Sequence, residues 1–203
     1  EGYENLIDAA KSAGISQFVY VSAHGFEAES PVALARAKAA TERALIGSDL
    51  SYTILRPALF MEAWITMIVG AQLQVGSEVV VMGDVDTRYP FVSASNVADL
   101  AIAVRGNPTA DKSSIPISAQ AASYAQLIEW IGDLTERDIT LESVPPGTSI
   151  PGFPPVVIEL WTMLSQQPIE PIETVEVAVR FGLALETAKA YVERNFTQPS
   201  ASL

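Results

Sequence analysis

Two short apolar runs separated by one helix-length segment constrain this chain more than any other feature. Gln17-Phe18-Val19-Tyr20-Val21-Ser22-Ala23 is almost continuously apolar and rich in β-branched and aromatic residues. A strand of that texture is buried on both faces, the habit of parallel sheets, whereas half-exposed antiparallel strands alternate polar with apolar. Ser51-Tyr52-Thr53-Ile54-Leu55-Arg56-Pro57 reads as the next strand, ended by its proline. Between them, Ser30-Pro31 offers a cap and a first-turn proline for a helix running to about Ile46, with Gly47 as its stop. Ahead of the first strand, Leu6, Ala9, Ala10 and Ala13 fall at helical spacing, so residues 1–14 read as an amphipathic helix. A third helix is expected over residues 61–74. Helix, strand, helix, strand, helix is the rhythm of an α/β fold built on a parallel sheet.

Further along, the pattern is less regular. Short strands are expected at residues 78–82, 88–94, 114–118 and 139–144. Helices are expected at 96–104, capped by Ser95 or Asn96, and at 123–137, with Leu127, Ile128, Ile131 and Leu134 on one side. Residues 145–155 are dense in Pro and Gly and read as a loop. Two helical stretches follow, 156–164 and 172–195, the second broken at Gly182, and the tail after Phe196 is expected to fray.

Composition removes several classes of function. There is no cysteine, which excludes disulfides, thiol nucleophiles and Cys-based zinc sites, and a single histidine, His24, excludes a His-rich metal centre. No metal is expected. The net charge of −12 repels phosphate backbones, and the 12 Lys and Arg are scattered, so no nucleic-acid partner is expected. No apolar run reaches the ~18 residues that span a bilayer; the longest, 63–75, is broken by Gly70 and Gln72. No membrane partner is therefore expected, and a cytoplasmic location is the default. The chain opens at Glu1 inside a helical pattern, so it is expected to be a fragment of a longer protein. The oligomeric state is left open.

Three segments carry a family resemblance: "QFVYVSAHG" (17–25), "ARAKAATERAL" (35–45) and "SYTILRPALFMEAW" (51–64), with "YPFVSASNVADLAIAV" (89–104) further on. In order and spacing they resemble the atypical short-chain dehydrogenase/reductases, above all the NmrA-like NAD(P)-binding group. The resemblance implies a Rossmann-type parallel sheet lacking its N-terminal strands, with a small mixed C-terminal lobe. Residues 1–118 would be the C-terminal part of the NAD(P)-binding domain, and 119–203 a substrate-side lobe interleaved with it. The family's Gly-x-x-Gly-x-x-Gly turn, which holds the cofactor's pyrophosphate on a helix N-terminus, is absent from these 203 residues. The implied cofactor is NAD or NADP, held here by its nicotinamide half only.

The same resemblance names candidate residues. Lys38 occupies the lysine position of the family's Tyr-x-x-x-Lys pair, where it would bind the nicotinamide ribose hydroxyls; the tyrosine position is Leu34, which has no proton to give. On residue type alone, Lys38 is equally a solvated helix lysine. The assisting Ser or Thr at the strand end falls on Ala23, with Ser22 adjacent and taken as the candidate. Backbone groups of Pro57, Ala58 and Phe60, in the turn after the second strand, would contact the carboxamide. His24 is the candidate proton donor in place of the tyrosine, since imidazole titrates near neutrality. Phe60, Met61 and Phe91 are candidates for an apolar pocket or for core. Glu42, four residues after Lys38, is expected to pair with it along the helix. The function implied is an NAD(P)-dependent oxidoreductase acting on a small organic substrate, or alternatively a non-catalytic NAD(P)-sensing regulator or scaffold.

Overall fold

The computed structural model describes residues 2–172 and 174–197. In chain order the elements are α1 (Gly2–Ser12), β1 (Phe18–Val21), α2 (Ala33–Ile46), β2 (Tyr52–Pro57) and β3 (Leu59–Phe60). A π-helix (Glu62–Gly70) runs into α3 (Ala71–Val75), followed by β4 (Glu78–Met82), β5 (Tyr89–Val92) and α4 (Ala94–Ala103). Then come a 3₁₀ turn (Pro108–Ala110), β6 (Ser113–Ile117), β7 (Gln120–Ala122), α5 (Tyr124–Thr135) and β8 (Thr140–Val144). Three helices follow: α6 (Pro155–Gln166), α7 (Val175–Phe181) and α8 (Ala188–Phe196). The tail expected to fray lies, from residue 198 onward, outside the described residues.

These elements form two compact units, each assembled from three stretches of chain. The first is Glu1–Ala58, Ser95–Ile117 and Glu173–Ala184; the second is Leu59–Ala94, Ser118–Ile172 and Leu185–Leu203. The first unit contains the parallel sheet, in the order β1-β2-β6. Phe18 lies opposite Tyr52 and Val21 opposite Leu55; Thr53 lies opposite Ser113 and Pro57 opposite Ile117. Ile54 and Leu55 are fully buried, as expected of a strand covered on both faces. Beneath the sheet, Ile7 and Ala10 of α1 and Leu45 of α2 pack with Tyr20, Tyr52 and Ile54. Among the described residues β1 pairs on one side only and forms the sheet edge.

The second unit is mixed. β3 runs parallel to β5, which pairs antiparallel with β7, and β4 and β8 form a separate parallel pair. Its centre is aromatic: the buried Trp161 ring contacts Trp64, Tyr124 and Phe153 at centroid distances of 6.3, 5.8 and 6.0 Å. Ser123 caps α5 in a reciprocal capping box with Gln126.

Three sequence expectations need correction. Ser30 does not cap α2: the helix starts at Ala33, and the Ser30 hydroxyl instead accepts from the Val32 N–H at 3.2 Å, making a turn ahead of it. Neither Ser95 nor Asn96 caps α4. The Ala94 N–H donates to both oxygens of Glu62, at 3.0 and 3.1 Å, so a carboxylate distant in sequence answers the helix's exposed donor. Asn96 is buried, its side-chain amide donating to the Ala184 carbonyl at 3.0 Å. Finally, the 61–74 helix is wound as a π-helix for most of its length.

Among the described residues no helix is long and apolar enough to cross a membrane, and no group of three or more His, Cys, Asp or Glu could hold a metal ion.

Candidate functional site

Parallel pairing does not stop where the strands of the first unit end. The Ser22 N–H donates to the Leu55 carbonyl at 2.8 Å, the His24 N–H to the Pro57 carbonyl at 2.9 Å, and the Ala58 N–H to the Ile117 carbonyl at 2.9 Å. These bonds hold Ser22, His24, Pro57 and Ala58 in a row along the carboxyl end of the sheet. That is the edge at which open α/β sheets bind ligands.

Helix α2 brings one more group to this edge. The Lys38 ammonium donates to the Val21 carbonyl at 2.9 Å and sits 5.4 Å from the centroid of the Tyr20 ring. Burial pushes its pKa below the usual lysine value, and the nearby Glu42 carboxylate pushes the other way. Lys38 is therefore half-buried and aimed at a strand end, not a solvated helix lysine. An ammonium has three donors, and the Val21 carbonyl takes one. Beside it, Ser22 is only 2% exposed, and its hydroxyl has no hydrogen-bond partner among the described residues. An unpaired buried hydroxyl costs about 1–3 kcal/mol.

Glu42 does not pair with Lys38 as the helix spacing implied. Both of its oxygens accept from Arg56 Nε at 3.1 Å, and Arg56 Nη2 also donates to Oε2. The buried carboxylate takes the fork-shaped guanidinium, which satisfies both oxygens at once. That hydrogen bond raises the Arg56 pKa above its ordinary value. A buried carboxylate facing a strand arginine has no local sequence signal.

Leu34, one turn before Lys38, is 41% exposed and offers no titratable group. Phe60 belongs to the second unit, half-buried in β3 opposite Val92. Met61 and Phe91 are fully buried, as core residues are.

Residues 1–108 match the model of a family described as NAD(P)H-binding. The NAD(P)H azoreductase of Xenophilus azovorans is 25% identical over 155 residues, 73% of this chain and 53% of that protein, so the chain spans about half the length of this curated relative. An NADPH-dependent quinone oxidoreductase of Escherichia coli superposes with a TM-score of 0.79 at 20% identity, over 96% of this chain and 72% of that one. The negative transcriptional regulator NmrA, solved with NAD, gives 0.72 at 15% identity, over 96% of this chain and 68% of that one. Identities this low carry the fold alone, and that fold is the Rossmann-type sheet expected from the sequence.

Proposed function

The chain belongs to the NAD(P)H-binding family, and on that premise we propose that the complete protein is an NAD(P)H-dependent oxidoreductase of small organic molecules. In this reading the carboxyl edge of the β1-β2-β6 sheet takes the nicotinamide end of the cofactor. The observation that carries it is the pairing of a half-buried ammonium with an unpaired buried hydroxyl: Lys38 at the Val21 carbonyl, Ser22 beside it. Two remaining Lys38 donors suit the adjacent hydroxyls of a ribose. Pro57 and Ala58 offer rigid backbone at the same edge. When bound, the nicotinamide supplies the hydride; binding, orientation and a proton are the protein's share. His24 is the proton donor we propose, its backbone tied to Pro57 at 2.9 Å.

A second reading rests on Leu34. With leucine one turn before Lys38, the site lacks the tyrosine that would transfer a proton, and a nicotinamide-sensing regulator without turnover needs none.

The test is a calorimetric titration of the complete protein with NADH and NADPH, followed by turnover with a quinone or an azo dye. Lys38→Ala is expected to weaken cofactor binding by about tenfold to a hundredfold, the loss of a hydrogen bond from a charged group. Unchanged affinity in Lys38→Ala would remove the ribose role. Binding of nucleotide without turnover would favour the regulator, whereas turnover lowered by His24→Gln would favour the oxidoreductase.

A further inference from the structure

The second unit contains a concavity of about 520 Å³, within the range of small-molecule sites. One wall is the π-helix and α3, which contribute Trp64, Met67, Ala71 and Gln72; the other is the 151–154 loop and α6, with Phe153 and Leu160 prominent. Its lining contains no charged side chain. Its nitrogen- or oxygen-bearing side chains are Gln72 and Trp64, and the Gln72 amide is already committed: it donates to the Ile68 and Val80 carbonyls at 3.0 and 3.1 Å and accepts from the Val80 N–H at 3.0 Å. Apart from the Trp64 indole N–H, the walls thus present no uncommitted nitrogen or oxygen side-chain group to a ligand.

The two rings on opposite walls are held before anything binds. Trp64 and Phe153 each stand edge-on to the buried Trp161 indole, at interplanar angles of 84° and 86°. Fixed ring positions reduce the ordering cost of binding and suit a flat aromatic guest. The helical wall has its own device. Ala63, Met67 and Ala71 recur every four residues along it. All three line the cavity, so this wall is built of small and flexible apolar side chains. Met67 is 62% exposed at this wall and gives it a soft, adaptable rim. Net charge supplies the last constraint, because a chain at −12 repels anions.

We propose that this cavity is a binding site for an uncharged, flat aromatic small molecule. The inference goes beyond the cofactor reading and does not depend on it, since every wall lies in the second unit and no residue of β1, β2 or β6 takes part.

N-phenyl-1-naphthylamine is a suitable probe: it is neutral, aromatic and fluoresces strongly only in apolar surroundings. Titrated into the full chain without nucleotide, it is expected to bind at about micromolar concentration and to quench tryptophan emission. Ala71→Trp, at an exposed lining position, fills the cavity and is expected to weaken binding by about tenfold or more, with the circular dichroism spectrum and melting temperature unchanged. Met67→Lys, which places a charge at the rim, is the second variant should Ala71→Trp misfold, with a loss of the same order expected. The sulfonated analogue 1-anilinonaphthalene-8-sulfonate has the same rings plus a negative charge and is expected to bind about tenfold more weakly. No fluorescence rise, equal binding of the two dyes, or undiminished binding in both variants would overturn the assignment.

Discussion

Glu42 lies one helical turn beyond Lys38, a spacing at which carboxylate and ammonium ordinarily pair, yet its oxygens are taken by Arg56. The ammonium is left to the Val21 carbonyl, with donors to spare at the sheet edge. Arg56→Met is therefore expected to act twice. It strands a buried carboxylate, costing about 2 kcal/mol of stability, less than the loss of a fully buried partner because the Arg56 side chain is 39% exposed. It also frees Glu42 to draw Lys38 away from Val21, so nicotinamide nucleotide binding by the complete protein falls as well. Denaturant unfolding and calorimetry read the two effects separately, and Glu42→Gln added to Arg56→Met is expected to restore part of both. If Arg56→Met leaves nucleotide affinity intact, Glu42 does not compete for Lys38. Lys38 was legible in the sequence because its distance from the strand and from Leu34 follows a family pattern. The Arg56–Glu42 pair was not, because it joins a helix to a strand through burial, and neither residue type announces which partner burial will select.

Among the elements, the strands and helices of the first unit were legible because each carries its own period, apolar and continuous in β1 and β2, amphipathic in α1 and α2. The second unit was read less well. β3 and β7 span two and three residues, too short to show alternation, and the π-helix shares its apolar content with an ordinary helix. Turn geometry there makes a sharp test. Gly83 follows β4 at φ 84°, and a Cβ on it would lie 2.7 Å from the Ser165 Cβ. Gly83→Ala thus combines left-handed strain with a collision, and about 3 kcal/mol of destabilisation is expected by urea unfolding. Pairing it with Ser165→Gly should recover the collision share but not the strain; purely additive losses would mean the two do not meet. The aromatic centre makes a second test. Burial pushes the Tyr89 phenol up to about 12, with Asp84 adding to the rise. Between about pH 10, where an unfolded tyrosine ionises, and about pH 12, the unfolded chain has lost this proton and the folded one has kept it. The stabilisation is thus fully present below about pH 10 and falls as pH rises towards 12. Tyr89→Phe should flatten that slope in unfolding experiments at stepped pH, and an unchanged slope would assign it to other groups.

Over the whole molecule, two opposing terms govern association. The charge of −12 keeps copies apart, while the unpaired side of β1, with Val21 38% exposed, offers a strand edge to another chain. Salt weakens the first term, since the screening length is about 10 Å at 0.1 M, and leaves the second. Light scattering of the 203-residue chain is expected to rise with ionic strength, and Val21→Lys to suppress the rise. A monodisperse monomer at all salt concentrations would argue that the edge is protected. The way the chain is shared between the units has a consequence for its biosynthesis. It passes from one to the other at residues 58/59, 94/95, 117/118, 172/173 and 184/185. Neither half of the sequence therefore encodes a unit that can be finished while the ribosome is still at work on the other. The parallel sheet acquires its third strand only with β6, and the unit that holds the sheet takes in residues as late as Ala184. Each body can close only after the later stretches it takes in have been made, and during that wait its apolar strands are the chaperone's concern.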